Sequence, residues 1–118
     1  PNASQQFQSR MATHNSALIR ASVASSTRDE ALLRRLFSDR DPLVRYGLAS
    51  SPHLPSDLQW PLFKSKDSRI LLALLKNPIT TPEILEQLAG LPNLGITRLL
   101  REHPNTPAHI REALPKPY

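Results

Sequence analysis

The sequence contains no cysteine, which excludes disulfide bonds, thiolate metal sites, iron–sulfur clusters and cysteine nucleophiles. Glycine contributes only three residues and aromatic side chains only 5%, although hydrophobic residues make up 39% of the chain. An apolar content supplied by aliphatic side chains is typical of packed helices. The 118 residues are the length of one ordinary domain, so one hydrophobic core is expected.

Long hydrophobic runs are also missing. No apolar stretch approaches the roughly 18 residues of a membrane span. The polar segment 1–14 has no apolar region like that of a signal peptide. We therefore expect a soluble, cytoplasmic protein that does not associate with membranes.

The positive charge is unevenly distributed along the chain. The formal net charge is +5 at pH 7. Residues 1–76 carry eleven Lys and Arg against six Asp and Glu, whereas residues 77–118 carry four of each. If electrostatic attraction steers a partner, it steers the partner to the first half of the chain.

Proline is abundant, and three of the twelve prolines mark a period. Pro52, Pro78 and Pro104 are spaced 26 residues apart, and Ser26 precedes them at the same interval. Aligned on these four anchors, five rows of chemically similar residues recur, which predicts a repeat protein with one continuous core. The rows are Leu32, Leu58, Ile84 and Ile110; Leu36, Leu62, Leu88 and Leu114; Leu18, Val44, Ile70 and Ile96; Ala21, Gly47, Ala73 and Leu99; and Asn15, Asp41, Asp67 and Asn93.

Each unit is predicted to hold two short helices. The first helix begins at the Asn or Asp of the polar row, which serves as the N-cap, and ends before the anchor proline. The second helix begins a few residues later, where Thr27 to Glu30 has the spacing of a capping box and Thr81-Pro82 and Thr106-Pro107 pair an N-cap with a proline. The small row predicts a close approach of neighbouring helices, and Pro61 predicts 3₁₀ character in the second helix of its unit.

These patterns predict an all-α fold, an α-solenoid of four repeats of about 26 residues over residues 15–115. Residues 1–14 are expected to form an N-terminal cap or a disordered arm, and residues 116–118 a tail. A fragment of a longer array would show the same pattern.

The repeat unit resembles the leucine-rich repeat variant family. The resemblance rests on the proline-containing turn followed by a helix in residues 103–114, on the related turn in residues 77–82, and on Asp41-Pro42-Leu43-Val44-Arg45. It covers roughly residues 15–115 and implies a right-handed superhelix of alternating α and 3₁₀ helices without β-sheet. It also implies a binding function without identifying the partner.

Residues suited to catalysis or metal binding are few. No two of the four histidines have the three- or four-residue spacing that brings side chains together on a helix. No Ser-His-Asp order, Gly-rich phosphate loop or convergent carboxylate pair appears, and Asp39 and Asp41 straddle a turn as caps or surface charges. We therefore expect a non-enzymatic protein without a metal or cofactor. The histidines are His14, His53, His103 and His109.

A candidate binding surface lies on the first helices of the units. Residues 69–76 are apolar nearly all round, so some leucines exceed what the core needs. Curvature of the array would bury them; otherwise they form a patch for a protein partner or for a second copy of the chain. The predicted partner-binding residues are Arg45, Tyr46, Leu71, Leu72, Leu75, Arg98 and Arg101.

A second candidate surface lies on the second helices. Arg34 and Arg35 supply guanidinium groups that suit phosphates, and Trp60 supplies a ring on which a base can stack. The alternative hypothesis is therefore a basic solenoid that binds nucleic acid. The other interpretation of these residues is a solvated face, with charges placed for solubility. For the function of the chain, a regulatory domain cut from a larger protein is the third hypothesis.

Overall fold

The protein is built from short helices. A computed structural model describes residues 3–91 and 96–114, and this part of the chain contains α-helices and no β-strand, which confirms the all-α prediction. The predicted N-cap Asn93 and the tail 116–118 lie outside the described residues. The helices are α1 (Ala3–Met11), α2 (Ala17–Ser26), α3 (Glu30–Phe37), α4 (Pro42–Ala49), α5 (Ser56–Lys64), α6 (Ser68–Lys76), α7 (Pro82–Ala89), α8 (Thr97–Glu102) and α9 (Ala108–Ala113).

Helices α2 to α9 form two sets, which we call the first and second layers, and α1 packs on α2. In the first layer α2 packs on α4, α4 on α6 and α6 on α8. The second layer consists of α3, α5, α7 and α9, whose first residues follow one another at the 26-residue interval. The principal extents are 50 × 23 × 23 Å, so the fold is elongated along one axis.

Side-chain caps start several helices. The Asp41 carboxylate accepts from the Leu43 amide and the Asp67 carboxylate from the Arg69 amide, as predicted. The capping-box prediction at Thr27 is wrong: the N-cap of α3 is Asp29, which bonds the amides of Ala31 and Leu32. The buried Thr27 hydroxyl accepts the Asp29 amide instead.

The other predicted caps have mixed outcomes. The N-cap of α2 is Ser16, not Asn15, and the Ser16 amide donates to the imidazole Nδ1 of His14. Thr81 is the N-cap of α7 and Pro82 follows it as predicted, although the Thr81 side chain makes no bond to the helix. The N-cap of α9 is Pro107, not Thr106, whose hydroxyl donates to the Leu100 carbonyl.

The predicted 3₁₀ character is wrong. The second-layer helices are α-helical, including α5, which continues through Pro61. A proline inside a helix costs about 3 kcal/mol. Burial of Leu58, Leu62 and Phe63 on the same helix contributes about 1.5–3 kcal/mol for each side chain, which outweighs the loss.

The aliphatic rows form the core in the middle of the chain and weaken at its ends. Leu32, Leu58 and Ile84 are buried as predicted, whereas Ile110 on the last helix is only partly buried. Leu18 was also predicted to lie in a core row, but 69% of its surface is exposed. A helix at either end of a stack has a packed neighbour on one side only, so its row residues lose half of their cover.

The small row brings α2 and α4 into close contact. A Cβ atom added to Gly47 would lie 2.5 Å from the backbone oxygen of Ala21 and 3.1 Å from its Cα. Only a residue without a side chain fits there. The sequence-based prediction of a close helix approach is confirmed at this pair, whose members stand at equivalent positions of their units.

Three turns between a first and a second helix carry an equivalent polar residue, and we call Ser51, Asn77 and His103 the turn ladder. The side chain of each accepts the backbone amide two residues further on: Ser51 Oγ at 3.1 Å, Asn77 Oδ1 at 3.2 Å and His103 Nδ1 at 3.0 Å. In Asn77 and His103 the other side of the group reaches back one unit. Asn77 Nδ2 donates to the Ser51 carbonyl at 2.7 Å, and His103 Nε2 lies 2.8 Å from the Asn77 carbonyl.

Each turn-ladder carbonyl accepts two hydrogen bonds. The Ser51 and Asn77 carbonyls also accept an amide within their own turn, and the His103 carbonyl does the same. In place of a side chain from a following unit, the His103 carbonyl accepts Arg111 Nη2 at 3.0 Å. Among the described residues, no buried side-chain nitrogen or oxygen lacks a hydrogen-bond partner.

Gly47→Ala should destabilise the protein by about 1–3 kcal/mol, because the new methyl group forces α2 and α4 apart. Gly90→Ala is the matched control: its Cβ would meet only the Gln87 oxygen, at 3.5 Å, and its backbone is in the right-handed helical region. This control should be neutral or stabilising by up to about 1 kcal/mol. Urea unfolding of both variants measures the difference, and equal stabilities would show that α2 and α4 tolerate a wider spacing.

His103→Asn should nearly preserve stability, because Asn77 already makes the same two kinds of bond at the equivalent position. His103→Leu leaves the Asn105 amide and the Asn77 carbonyl without this buried partner and should cost about 1–3 kcal/mol for each group that stays unsatisfied. The comparison is made by thermal and urea unfolding. If Asn destabilises as much as Leu, the imidazole contributes through its volume rather than through the ladder.

Candidate binding surface

Charge is segregated between the two layers. The first-layer helices contain six Lys and Arg but a single carboxylate, on Glu102. The second-layer helices contain four Lys and Arg and five carboxylates. The first-layer cations are Arg20, Arg45, Arg69, Lys76, Arg98 and Arg101; the second-layer carboxylates are Glu30, Asp57, Glu83, Glu86 and Glu112.

Equivalent residues of neighbouring first-layer helices lie side by side. The Ala21–Gly47 contact fixes this register between α2 and α4, and the turn ladder fixes it at the ends of the helices that follow. The row of equivalent positions that contains Leu72 runs Arg20, Tyr46, Leu72 and Arg98. The Arg20 side chain is only 18% exposed, whereas Tyr46 is 43%, Leu72 40% and Arg98 85% exposed. Two large apolar side chains are thus exposed at equivalent positions of the neighbouring helices α4 and α6.

A mostly apolar groove adjoins Leu72. Its volume is about 330 Å³, and it lies between α6, the C-terminal end of α7 and the start of α8. Its lining residues are Ser68, Arg69, Leu71, Leu72, Leu88, Leu91 and Ile96. Leu71 is half-buried there, so it belongs partly to the groove and partly to the core.

Leu75 does not belong to the surface predicted for it. Only 1% of this side chain is exposed, and it lies within the hydrophobic core cluster. The stack of first-layer helices covers this position, which is the outcome expected if curvature buries the excess leucines. Its equivalent in the preceding unit, Ala49, is buried as well.

The predicted arginines of this surface differ in their surroundings. The Arg45 guanidinium lies 5.2 Å from the centre of the Phe37 ring, so this side chain spans the two layers. The Arg98 side chain is 85% exposed and forms an ion pair with Glu102 one helical turn away, at 3.4 Å. Arg101, on the inner side of α8, is partly buried.

The alternative basic surface is largely neutralised. Arg34 makes two hydrogen bonds to the Asp57 carboxylate, at 2.9 and 3.0 Å, and a third to Glu30 at 3.3 Å. The hydrogen bonds to Asp57 raise the pKa of Arg34, and in return they hold the pKa of Asp57 below its ordinary value. Arg35 is exposed on the same helix. The structure thus commits Arg34 to an ion pair within the chain.

Trp60 is exposed on α5, but one side of its ring is occupied. It stacks on Phe63 with ring centres 5.4 Å apart and an angle of 18° between the planes. Its exposed fraction of 45% is close to those of Tyr46 and Leu72. The Arg34 pair and Trp60 therefore share the second-layer surface without forming a cluster of available cations around an aromatic ring.

Sequence reasoning missed several features of the surface. The predicted set omitted Arg69 and Lys76, which lie on α6 one helical turn before and one helical turn after Leu72. It also missed contacts between neighbouring second-layer helices: the Arg34–Asp57 ion pair and, at the equivalent positions two units later, a Glu86–His109 contact at 4.0 Å. The usable signal was in the sequence, because charges sorted by helix, rather than by half of the chain, separate the two layers.

A partly buried ion pair between Arg20 and Asp39 connects the two ends of the first unit. Arg20 donates to Asp39 at 2.7 Å and to the carbonyls of His14 and Asn15, and the second carboxylate oxygen of Asp39 accepts the Asp41 amide. Partial burial favours the neutral acid, but the Asp41 amide and Arg20 together outweigh burial and lower the pKa of Asp39. Arg20 is therefore used for structure at the end of the exposed row.

The remaining polar residues do not form a metal site in residues 3–91 and 96–114, where no group of three or more His, Asp or Glu is positioned to hold an ion. His103 is buried in the turn ladder, and His14, His53 and His109 are exposed and far apart in sequence. Within the same ranges no helix is long and apolar enough to cross a bilayer. No protein-family model, curated protein or solved structure matches the chain.

Lowering the pH should destabilise the wild-type protein more than Asp39→Asn. Because the pKa of Asp39 is lower in the folded state, its contribution is complete above the unfolded-state pKa of about 3.9 and is lost as the pH falls below that value through the folded pKa. Asparagine keeps the oxygen that accepts the Asp41 amide but does not titrate. Melting temperatures between pH 6 and pH 2.5 test this, and parallel curves for the two proteins would show that the Arg20 pair does not act through charge.

Proposed function

We propose that this chain is a non-enzymatic helical-repeat binding module, an α-solenoid of four repeats, which binds a protein partner on the outer face of its first layer. The observation that carries the proposal is the pairing of two features on that face. Tyr46 and Leu72 are exposed at equivalent positions of neighbouring helices, and the helices that bear them and their neighbour α8 hold nearly all of their charge as Lys and Arg. Apolar anchors rimmed by arginine are typical of protein interfaces.

The repeat architecture is supported by bonds that recur at the unit length. The Asn77 side chain and the His103 side chain each reach a carbonyl 26 residues earlier. The hydroxyls of Thr80 and Thr106, again one unit apart, each donate to a carbonyl six residues earlier. Stacked repeats present one residue of each unit along a continuous row, which is how solenoids build extended binding surfaces.

A nucleic-acid partner is the second candidate, and the six cations of the first layer are the observation that favours it. Phosphate binding would use those cations rather than the Arg34, Arg35 and Trp60 surface, because Arg34 is bound to Asp57. The exposed Tyr46–Leu72 pair favours protein, since phosphate binding gains nothing from an aliphatic side chain between cations.

Leu72→Glu should abolish capture of the partner while leaving helix content and melting temperature unchanged, because the side chain is 40% exposed. Trp60→Glu, at a similarly exposed position of the second layer, is the matched control and should retain capture. A photo-crosslinking amino acid placed at position 46 in both variants and in the wild type reports contact in extracts of the native cell. Crosslinks to nucleic acid would overturn the protein proposal, and equal loss in both variants would overturn the choice of face.

A further inference from the structure

We infer that the segment bound on the first layer is an acidic amphipathic helix with two apolar residues seven positions apart, a partner class defined by the charge and spacing of the exposed row. This inference rests on the proposed function and specifies its ligand. It follows from three properties of the face: its spacing, the position of its cations and its lack of carboxylates.

The spacing of the row matches a helical ligand. Packed helices lie about 8–10 Å apart, so Tyr46 on α4 and Leu72 on α6 are separated by about that distance in register. Residues seven positions apart on a helix lie on one face and about 10 Å apart along its axis. A helix that crosses α4, α6 and α8 therefore places one apolar side chain against Tyr46 and the next against Leu72.

The cations lie where such a helix would carry its flanking residues. Arg69 precedes Leu72 by one turn of α6 and Lys76 follows it by one turn, so one cation stands on each side of the crossing point. The Arg69 side chain is 72% exposed, and its Nε lies 3.9 Å from the Asp67 carboxylate. Arg98 continues the row beyond Leu72, and its side chain is 85% exposed. Carboxylates on both sides of the apolar stripe of the ligand would meet these three groups.

The face offers little negative charge of its own. Glu102 is the one carboxylate in the described first-layer helices, and it pairs with Arg98. Asp41 and Asp67, which precede α4 and α6, accept the amides of Leu43 and Arg69. A cationic ligand would therefore meet repulsion along the whole row, whereas an acidic ligand gains attraction that also speeds its association.

A second copy of the chain fits this face less well. Each copy carries a formal charge of +5, so two copies repel one another at long range. The second layer does offer Glu83 and Glu86, but its large exposed apolar side chain is Trp60, on the neighbouring helix α5 and already stacked on Phe63. The arrangement of two apolar anchors with flanking acids is not present there.

The test uses a synthetic fluorescein-labelled 21-residue helix with leucine at two positions seven apart and glutamate on both sides of that stripe. One control peptide has lysine for every glutamate, and another has glutamine for both leucines. Fluorescence anisotropy at about 0.15 M salt measures binding, where charges beyond about 8 Å are screened. The acidic peptide should bind at least about tenfold more tightly than either control.

Variants of the full chain locate the site. Leu72→Ser and the double variant Arg69→Glu/Lys76→Glu should each weaken binding of the acidic peptide by about tenfold or more. Arg35→Glu/Lys64→Glu makes the same change of net charge on exposed second-layer helices and should leave the affinity within about twofold. Circular dichroism of each variant checks that the helix content is retained, and Tyr46→Ser repeats the test at the other anchor.

The possible failures are distinguishable. Equal binding of the lysine peptide overturns the acidic ligand but leaves a protein-binding face in place, provided that Leu72→Ser still weakens binding. Equal weakening by the two charge-reversal variants shows attraction to net charge alone and overturns the site. Sedimentation of the chain as a dimer that Leu72→Ser dissociates identifies a second copy as the occupant. Displacement of the acidic peptide by a 20-base-pair DNA duplex, with tighter binding of the duplex, identifies nucleic acid; either result overturns the inference.

Discussion

The turn ladder is the interaction on which the rest of the structure depends. A turn that leaves a helix exposes carbonyl groups, and burying such a group without a partner costs about 1–3 kcal/mol. Here the carbonyls of Ser51 and Asn77 accept an amide of their own turn and, in addition, a hydrogen bond from a side chain of the next unit. These bonds between units occupy the second acceptor position of each carbonyl and also fix the register of the first layer. Because the register is fixed, Tyr46 and Leu72 lie in one row, and the segregation of charge between helices becomes a segregation between surfaces.

Much of the fold could be predicted from the sequence, because the residues that must be buried or must be small recur every 26 positions. The aliphatic rows at Leu32, Leu58 and Ile84 mark what must be buried, and Gly47 marks where two backbones meet. The wrong predictions arise where two residues compete for one role, or where a local preference is opposed by packing, because a sequence pattern does not show which effect is stronger. Thr27 was available as a cap, but Asp29 took the position; Pro61 weakens a helix locally, but the buried side chains around it keep the helix intact.

The candidate surface was only partly predictable, because exposure depends on neighbours that belong to other units. The sequence showed too many leucines in α6, yet it did not distinguish Leu72, which is 40% exposed, from Leu75, which is 1% exposed. Arg34 looked like an available cation until the structure placed Asp57, 23 residues later, beside it. The shared role of Asn77 and His103 could not be predicted either, because an amide and an imidazole do not look equivalent in a sequence alignment. The structure shows that both bond a carbonyl one unit earlier.

The turn ladder has a direction, and that direction affects how the chain folds as it is synthesised. In each hydrogen bond between units, a side chain of a later unit bonds a carbonyl of an earlier one. The turn at Ser51 is therefore incomplete until Asn77 has left the ribosome, and the turn at Asn77 is incomplete until His103 has done so. At the usual rate of about 5–20 residues per second, each unit emerges a few seconds or less after the unit before it. The turn at His103 differs, because Arg111, from the helix that follows it directly, occupies its carbonyl. Each of the turns at Ser51 and Asn77 is therefore completed only after the following unit has emerged. The turn at His103 is completed by Arg111 of the helix that follows it.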